Sequence, residues 1–205
     1  MSYELFAAIA QHDMSRVAAL VSKGADPNAT NAEGWRPLHV AIGLLGVGGT
    51  TDLIALLLKL GAKANEWDSD HNETPILSAS DPPDVEAMRV LLEGGANPNV
   101  RRSTGESPLQ LCVEYQSLEA VALLLQNGAG TTMNNWGGLS GLTALGLATR
   151  KFDVSMIKLL LREGVDAEAL DEYDETAREK LPPREQHDSE TWDQVIELLG
   201  RGKPE

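Results

Sequence analysis

Chemistry could reside in a few places in this sequence: four histidines, one cysteine, an acidic run and two glycine clusters. His12, His71 and His187 stand far apart, and His187-Asp188 has no second histidine or cysteine at metal-ligand spacing. The run 171-DEYDE-175 has the carboxylate density of a calcium loop but lacks its central glycine and terminal glutamate. It reads as a solvated acidic turn. The segment 46-GVGG-49 is not followed by the Lys-Ser/Thr of a phosphate-cradling loop, and 138-GLSG-141 has neither the spacing of a nucleophile elbow nor a strand before it. Cys112 falls in an apolar run, where a buried, inert thiol is expected. A single cysteine excludes an internal disulfide and fits a reducing compartment. No catalytic constellation emerges, and no cofactor or metal is expected.

The elements that would position such residues are built from small and aliphatic side chains. Apolar residues make up 42% of the 205 and aromatics only 4%, so the core must be Leu, Ala, Val and Ile, which suits packed helices. No apolar run approaches the length needed to span a bilayer, and the N-terminus lacks the pattern of a signal peptide. A cytoplasmic, monomeric protein is expected. The formal charge is −14, and the last 40 residues, from Asp166, hold 13 acids and 5 bases. Such a chain repels nucleic acid and anionic membrane.

The sequence repeats itself. Near-copies of 36-RPLHVAI-42 return as 74-TPILSAS-80, 107-SPLQLCV-113, 143-TALGLAT-149 and, worn down, 176-TAREKLP-182. Each is followed by an aliphatic run ending in glycine, at Gly24, Gly61, Gly95, Gly128, Gly164 and Gly202. Their separations of 37, 34, 33, 36 and 38 residues mark stacked supersecondary units. In the unit 103–129, Ser107-Pro108 opens a helix with a capping hydroxyl and a proline that forfeits no needed donor. Leu109, Leu111, Cys112 and Val113 give that helix an apolar face, and Leu118, Val121, Leu124 and Leu125 give one to the next. Gly128 suits the left-handed backbone past a helix end. Neither helix is long enough to stand alone in water, so neighbours must cover them.

These residues resemble ankyrin repeats. The matches are 34-GWRPLHVA-41, 24-GADPN-28, 94-GGANPN-99 and 105-GESPLQLC-112, and the likeness runs from Leu5 to about Gly202. It implies an all-α, curved ankyrin-repeat solenoid of about six helix-turn-helix repeats with short hairpin-like fingers. The repeats would span about 1–30, 31–66, 67–100, 101–133, 134–168 and 169–202 in a single domain. Helix pairs are expected from near Glu4, Pro37, Thr74, Ser107, Thr143 and Thr176, with Leu57, Leu91, Leu124 and Leu160 buried between repeats. Insertions set repeat two (43-GLLGVGGT-50) and repeat five (133-MNNWGGLSGLT-143) apart, and 182-PPREQHDSET-191 stretches repeat six. The resemblance makes His39 structural, bonded to neighbouring backbone.

In that family partners bind the concave face of fingers and first helices. Aligned repeats put Glu33 and Trp35 there in repeat two, and Trp67, Asp70, His71 and Glu73 in repeat three. Repeat four adds Arg101, Thr104, Glu106 and Tyr115; repeat five adds Trp136, Leu139, Leu142 and Arg150; repeat six adds Glu172, Tyr173 and Glu175. Three of the four tryptophans thus fall in fingers, and tryptophan is enriched at binding hot spots. The expected function is non-enzymatic: binding of a folded, preferably basic protein as scaffold, inhibitor or immunity-type blocker. Two alternatives stay open. One is a ligand-binding or enzymatic protein with a pocket at the repeat-two and repeat-five insertions. The other is a structural spacer, which needs no coherent exposed aromatic patch.

Overall fold

A computed structural model describes residues 1–68 and 72–200. The anticipated helix pairs are present. In the first of two compact units, Met1–Val100, they are α1 (Ser2–Ala10) with α2 (Met14–Ser22), α3 (Pro37–Gly43) with α4 (Thr51–Lys59), and α5 (Pro75–Ser78) with α6 (Val85–Glu93). The second unit, Arg101–Glu205, holds α7 (Pro108–Glu114) with α8 (Leu118–Gln126), α9 (Ala144–Arg150) with α10 (Val154–Arg162), and α11 (Ser189–Gly200). Among the described residues there is no strand, only isolated bridges at Ser80–Pro83 and Gly137–Leu142. The boundary between the units coincides with that between repeats three and four.

Local chemistry starts and stops these helices. Proline occupies the first turn of α3, α5 and α7, where its missing N–H costs nothing. Ser107 and Gln110 form a reciprocal capping box on α7, and Asp13, Asp84, Ser117, Thr143 and Asp153 each accept an amide hydrogen at a helix start. At the far ends the anchoring glycines Gly24, Gly61, Gly95, Gly128 and Gly164 adopt positive φ, and Gly202 lies outside the described residues. Gly61 (φ +94°) is typical: the next residue, Ala62, then returns its N–H to the Leu57 carbonyl at 2.9 Å, closing the helix end.

Within each unit, first helices pack on first helices and second on second: α1 on α3 and α3 on α5, α2 on α4 and α4 on α6, then α7 on α9 and α8 on α10. Leu57, Leu91, Leu124 and Leu160 are fully buried there, as the register requires, and so is Cys112. His39 is buried, with Nε2 3.3 Å from the Glu73 carbonyl oxygen, the structural role the resemblance implied.

The interhelix turns divide the repeats. In repeats one, four and five the turn is tight, with His12, Gln116 and Phe152 in the left-handed region directly before the capping residue. Repeat two instead inserts a 3-10 turn, Leu45–Val47, after α3. In repeat three α5 is only four residues long, because Pro82 disfavours helical backbone at Asp81 before it, and Pro83 cannot adopt the left-handed φ that Gln116 takes at the matching turn position. The sixth repeat corrects the expectation of a full helix at Thr176. Its first element is a 3-10 turn, Ala177–Lys180, since Leu181 precedes Pro182 and is held extended (φ −58°, ψ 132°). Trp192 of α11 donates its indole N–H to the Pro182 carbonyl at 3.0 Å, tying the loop to the last helix.

Candidate partner-binding surfaces

The fingers are closed by their own backbone. Asn31 N–H donates to the Trp35 carbonyl (2.9 Å), while its side-chain oxygen accepts from the amides of Glu33 (3.0 Å) and Trp35 (2.8 Å). Asp68 and Asp171 do the same in repeats three and six, accepting from the amides of Glu73 and Glu175. In repeats two and six these bonds close the finger into a defined turn.

In the first unit, Trp67 is 38% exposed, and its carbonyl accepts from Arg36 Nε at 2.7 Å. Trp35 is half-buried, its ring 5.9 Å from that of His39. Glu33 is exposed, bonded to Asn31 Nδ2 at 3.0 Å. Glu73 is half-buried. Asp70 and His71 lie outside the described residues.

Of these residues, Glu33 and Trp35 border a hollow beside the repeat-two insertion. The hollow, of about 870 Å³, lies within the first unit, walled by Phe6, Trp35, Ile42, Leu44 and Leu45 and by the turn Asp81–Asp84. The inserted turn of repeat two forms one side and the proline-shortened end of α5 the other. The signal was present in 80-SDPPD-84: two prolines directly after the expected last turn shorten the helix and displace the tight turn that repeats one, four and five retain.

In the second unit, finger five stacks on finger four. Gly137 is obligatory there, because a Cβ would stand 2.2 Å from the Gly105 carbonyl oxygen. Arg101 binds the structure inward, donating from Nε to that carbonyl (2.8 Å) and from Nη2 to the Trp136 carbonyl. Trp136 is 45% exposed, and Leu139 is 97% exposed at the tip. Leu142 is only 3% exposed, a correction to its expected place on the binding face: it packs inward, and its carbonyl accepts from Gln110 Nε2 at 2.9 Å. Thr104 donates to Glu106 (2.8 Å), which also lies 3.8 Å from Arg102. Tyr115 and Arg150 are exposed, with Arg150 3.9 Å from Glu114 and Lys151 2.9 Å from the same carboxylate. Glu106, Gln110, Leu139 and Arg150 border a smaller hollow of about 190 Å³.

Two of the four acids in the sixth finger, Asp171 and Glu175, are compensated by one lysine. Lys180 reaches Asp171 at 2.7 Å, pairs with Glu175 and lies 5.3 Å from the Tyr173 ring centroid. Burial pushes the Asp171 carboxyl up, but Lys180 and the amides of Glu175 and Tyr173 together outweigh it and hold it below the usual carboxylate range. Burial likewise disfavours the Lys180 ammonium, yet its two carboxylates hold its pKa above the ordinary lysine value. Glu172 and Tyr173 remain exposed.

Among the described residues, no group of three or more His, Cys, Asp or Glu could hold a metal, and no helix is long and apolar enough to cross a membrane. Each insertion borders a hollow in its own unit: Asn31, Glu33, His39, Ser78, Asp81 and Asp84 are the polar lining of the first, and Glu106, Gln110, Glu114, Ser140 and Arg150 that of the second.

Comparison with known proteins agrees with this architecture. The chain is 26% identical over 176 residues, 82% of its length, to human transient receptor potential cation channel subfamily A member 1, of which it spans only 15%. Two solved structures share the fold. EF0377, an ankyrin-repeat protein, has a TM-score of 0.79 at 21% identity with 99% of both chains covered. A chain in the complex of the Bdellovibrio bacteriovorus endopeptidase Bd0816 with the immunity protein Bd3460 has a TM-score of 0.71 at 22% identity, with 98% of both chains covered. A family model described as ankyrin repeats in three copies matches residues 5–102, 47–135 and 76–171. On the repeat period, the helix pairs and this match, the chain belongs to the ankyrin-repeat family.

Proposed function

We propose that this protein is a non-enzymatic interaction module that binds a folded, basic protein through its fingers and first helices. Ankyrin repeats mediate protein–protein interaction. The observation that carries the reading is the exposure of Trp67, Trp136, Leu139 and Tyr173 on fingers, while the buried core is almost wholly aliphatic. The finger of Trp67 is already closed through Asp68 and that of Trp136 through its own backbone and Ser140, so neither needs an exposed indole to hold its turn. Exposed aromatic and aliphatic anchors on a rigid frame are what a partner's pockets bind. The net charge of −14 favours a basic partner and speeds its approach.

The mode of action is stoichiometric, by masking or scaffolding. The fold shared with a chain of the Bd0816–Bd3460 complex makes a blocking role one concrete form of it. The test is affinity capture of the partner followed by titration of purified Trp67→Ala, Trp136→Ala and Leu139→Ala variants against it. Weakened binding by folded variants supports the reading. Unchanged affinity in all three removes the fingers from the interface.

A further inference from the structure

We propose that the hollow of the first unit seats a short linear segment of the partner that carries an apolar side chain beside a lysine or arginine. The proposal rests on the interaction-module reading. Its first support is the lining: Phe6, Trp35, Ile42, Leu44, Leu45 and Pro82 offer an apolar bed of the volume that buries a compact ligand. Its second is charge. Glu33, Asp81 and Asp84 line the hollow, and no lysine or arginine does. By contrast, the smaller hollow in the second unit includes Arg150 among its lining, beside Glu114.

The polar groups argue against a polar small molecule. Asn31 is engaged in closing its finger, Ser78 Oγ donates to the Glu73 carboxylate (3.5 Å), and His39 Nε2 sits on the Glu73 carbonyl. Asp84 caps α6 through the Ala87 amide at 2.9 Å. With Asn31, Ser78, His39 and Asp84 so committed, the hollow reads apolar surface and, chiefly through the exposed Glu33, positive charge. A side chain such as leucine or tryptophan next to a cation on a peptide backbone satisfies both.

The probe is a phage-displayed library of random linear peptides selected on the full chain, with synthetic copies of enriched sequences titrated by calorimetry. Enriched peptides should carry an aromatic or branched aliphatic residue within two positions of Lys or Arg. Their affinity should fall by about tenfold or more in Ala10→Trp and Gly46→Trp, which place bulk at the hollow from exposed positions. Glu33→Lys should weaken them about threefold to tenfold, with part of the loss recovered by a peptide whose cation is replaced by Glu. Leu118→Ser, at an exposed leucine on a second helix, should leave them unchanged. Melting curves confirm that each variant is folded, and the two occluding sites are independent of each other.

Three outcomes overturn the proposal. Peptides lost on Leu139→Ala but retained by both occluding variants place linear recognition on the second unit, which leaves the interaction reading intact. Peptides that bind equally well with the cation replaced by Gln show that the carboxylates play no part. If no peptide is enriched on folded protein, the hollow takes no linear segment, and the interaction reading is judged separately by the captured partner and the finger variants.

Discussion

The two units are built from the same repeat, yet their first-helix sides differ in shape and in charge. In the first, an inserted turn after α3 and two prolines at the end of α5 leave a hollow of about 870 Å³ lined by three carboxylates and no lysine or arginine. In the second, tight turns and stacked fingers leave about 190 Å³, and acids face cations of the same chain: Glu114 with Arg150 and Lys151, Asp171 and Glu175 with Lys180. Net charge is therefore a poor map of where a basic partner would be attracted. The C-terminal forty residues carry much of the formal charge, but part of it is spent on holding the worn sixth repeat together. The apolar anchors of the second unit are Trp136, Leu139 and Tyr173, of which only Tyr173 lies in that stretch, beside the exposed Glu172.

The largest expected effect tests whether the units differ only at their surfaces. Leu57→Ala in the first and Leu124→Ala in the second should each cost roughly 2–5 kcal/mol in chemical denaturation, since both are fully buried core leucines. A loss below about 0.5 kcal/mol at either site, the behaviour of an exposed residue, would break the shared register.

Next come the anchors. Trp67→Ala or Trp136→Ala should weaken binding to a captured partner by about 2 kcal/mol with little change in melting temperature. Early melting with normal binding by the folded fraction would make the indoles structural.

The self-compensation of the second unit predicts a somewhat smaller effect. Lys180→Ala should destabilise by about 1–2 kcal/mol, less than for a fully buried pair because the Lys180 side chain keeps 13% of its exposure. The sign with pH follows from the shifts. Asp171 is depressed in the folded state, so its contribution is present above the ordinary aspartate pKa of about 3.9 and is lost as pH falls through its lower folded value. Lys180 is raised, so its contribution persists below the ordinary lysine value of about 10.4 and is lost as pH rises through the folded one. The gap in stability between parent and Lys180→Ala, measured by urea titration, should thus be flat at neutral pH and narrow at both extremes. A gap unchanged in acid would dissociate Asp171 from Lys180.

The smallest effect sharpens the charge comparison. Glu172→Lys should slow association with a basic partner a few-fold at low salt and less at high salt, because an exposed rim charge acts on encounter. Glu175→Lys should also destabilise the sixth repeat, since it removes a carboxylate from Lys180. Equal effects on rate and stability from both would remove the distinction between free and committed acids.

Much of the fold was legible because its determinants are local. The helix starts expected at Pro37, Thr74, Ser107 and Thr143 are occupied within a residue, since a capping hydroxyl or a first-turn proline acts on its own neighbours. The anchoring glycines Gly24 to Gly164 adopt the positive φ that ends each second helix, for the same reason. The family followed from the period. Tertiary structure decided which side chains were left over. Leu139 and Leu142 sit in one finger and are the same residue type, yet one is bare and the other buried, because only contact with the neighbouring repeat distinguishes them. Glu114 finds Arg150 and Lys151 from the next repeat, a pairing that no local pattern announces. The hollow arose in the same way: the loop of repeat two and the prolines of repeat three each affect only their own turns, and stacking is what sets the two beside one space.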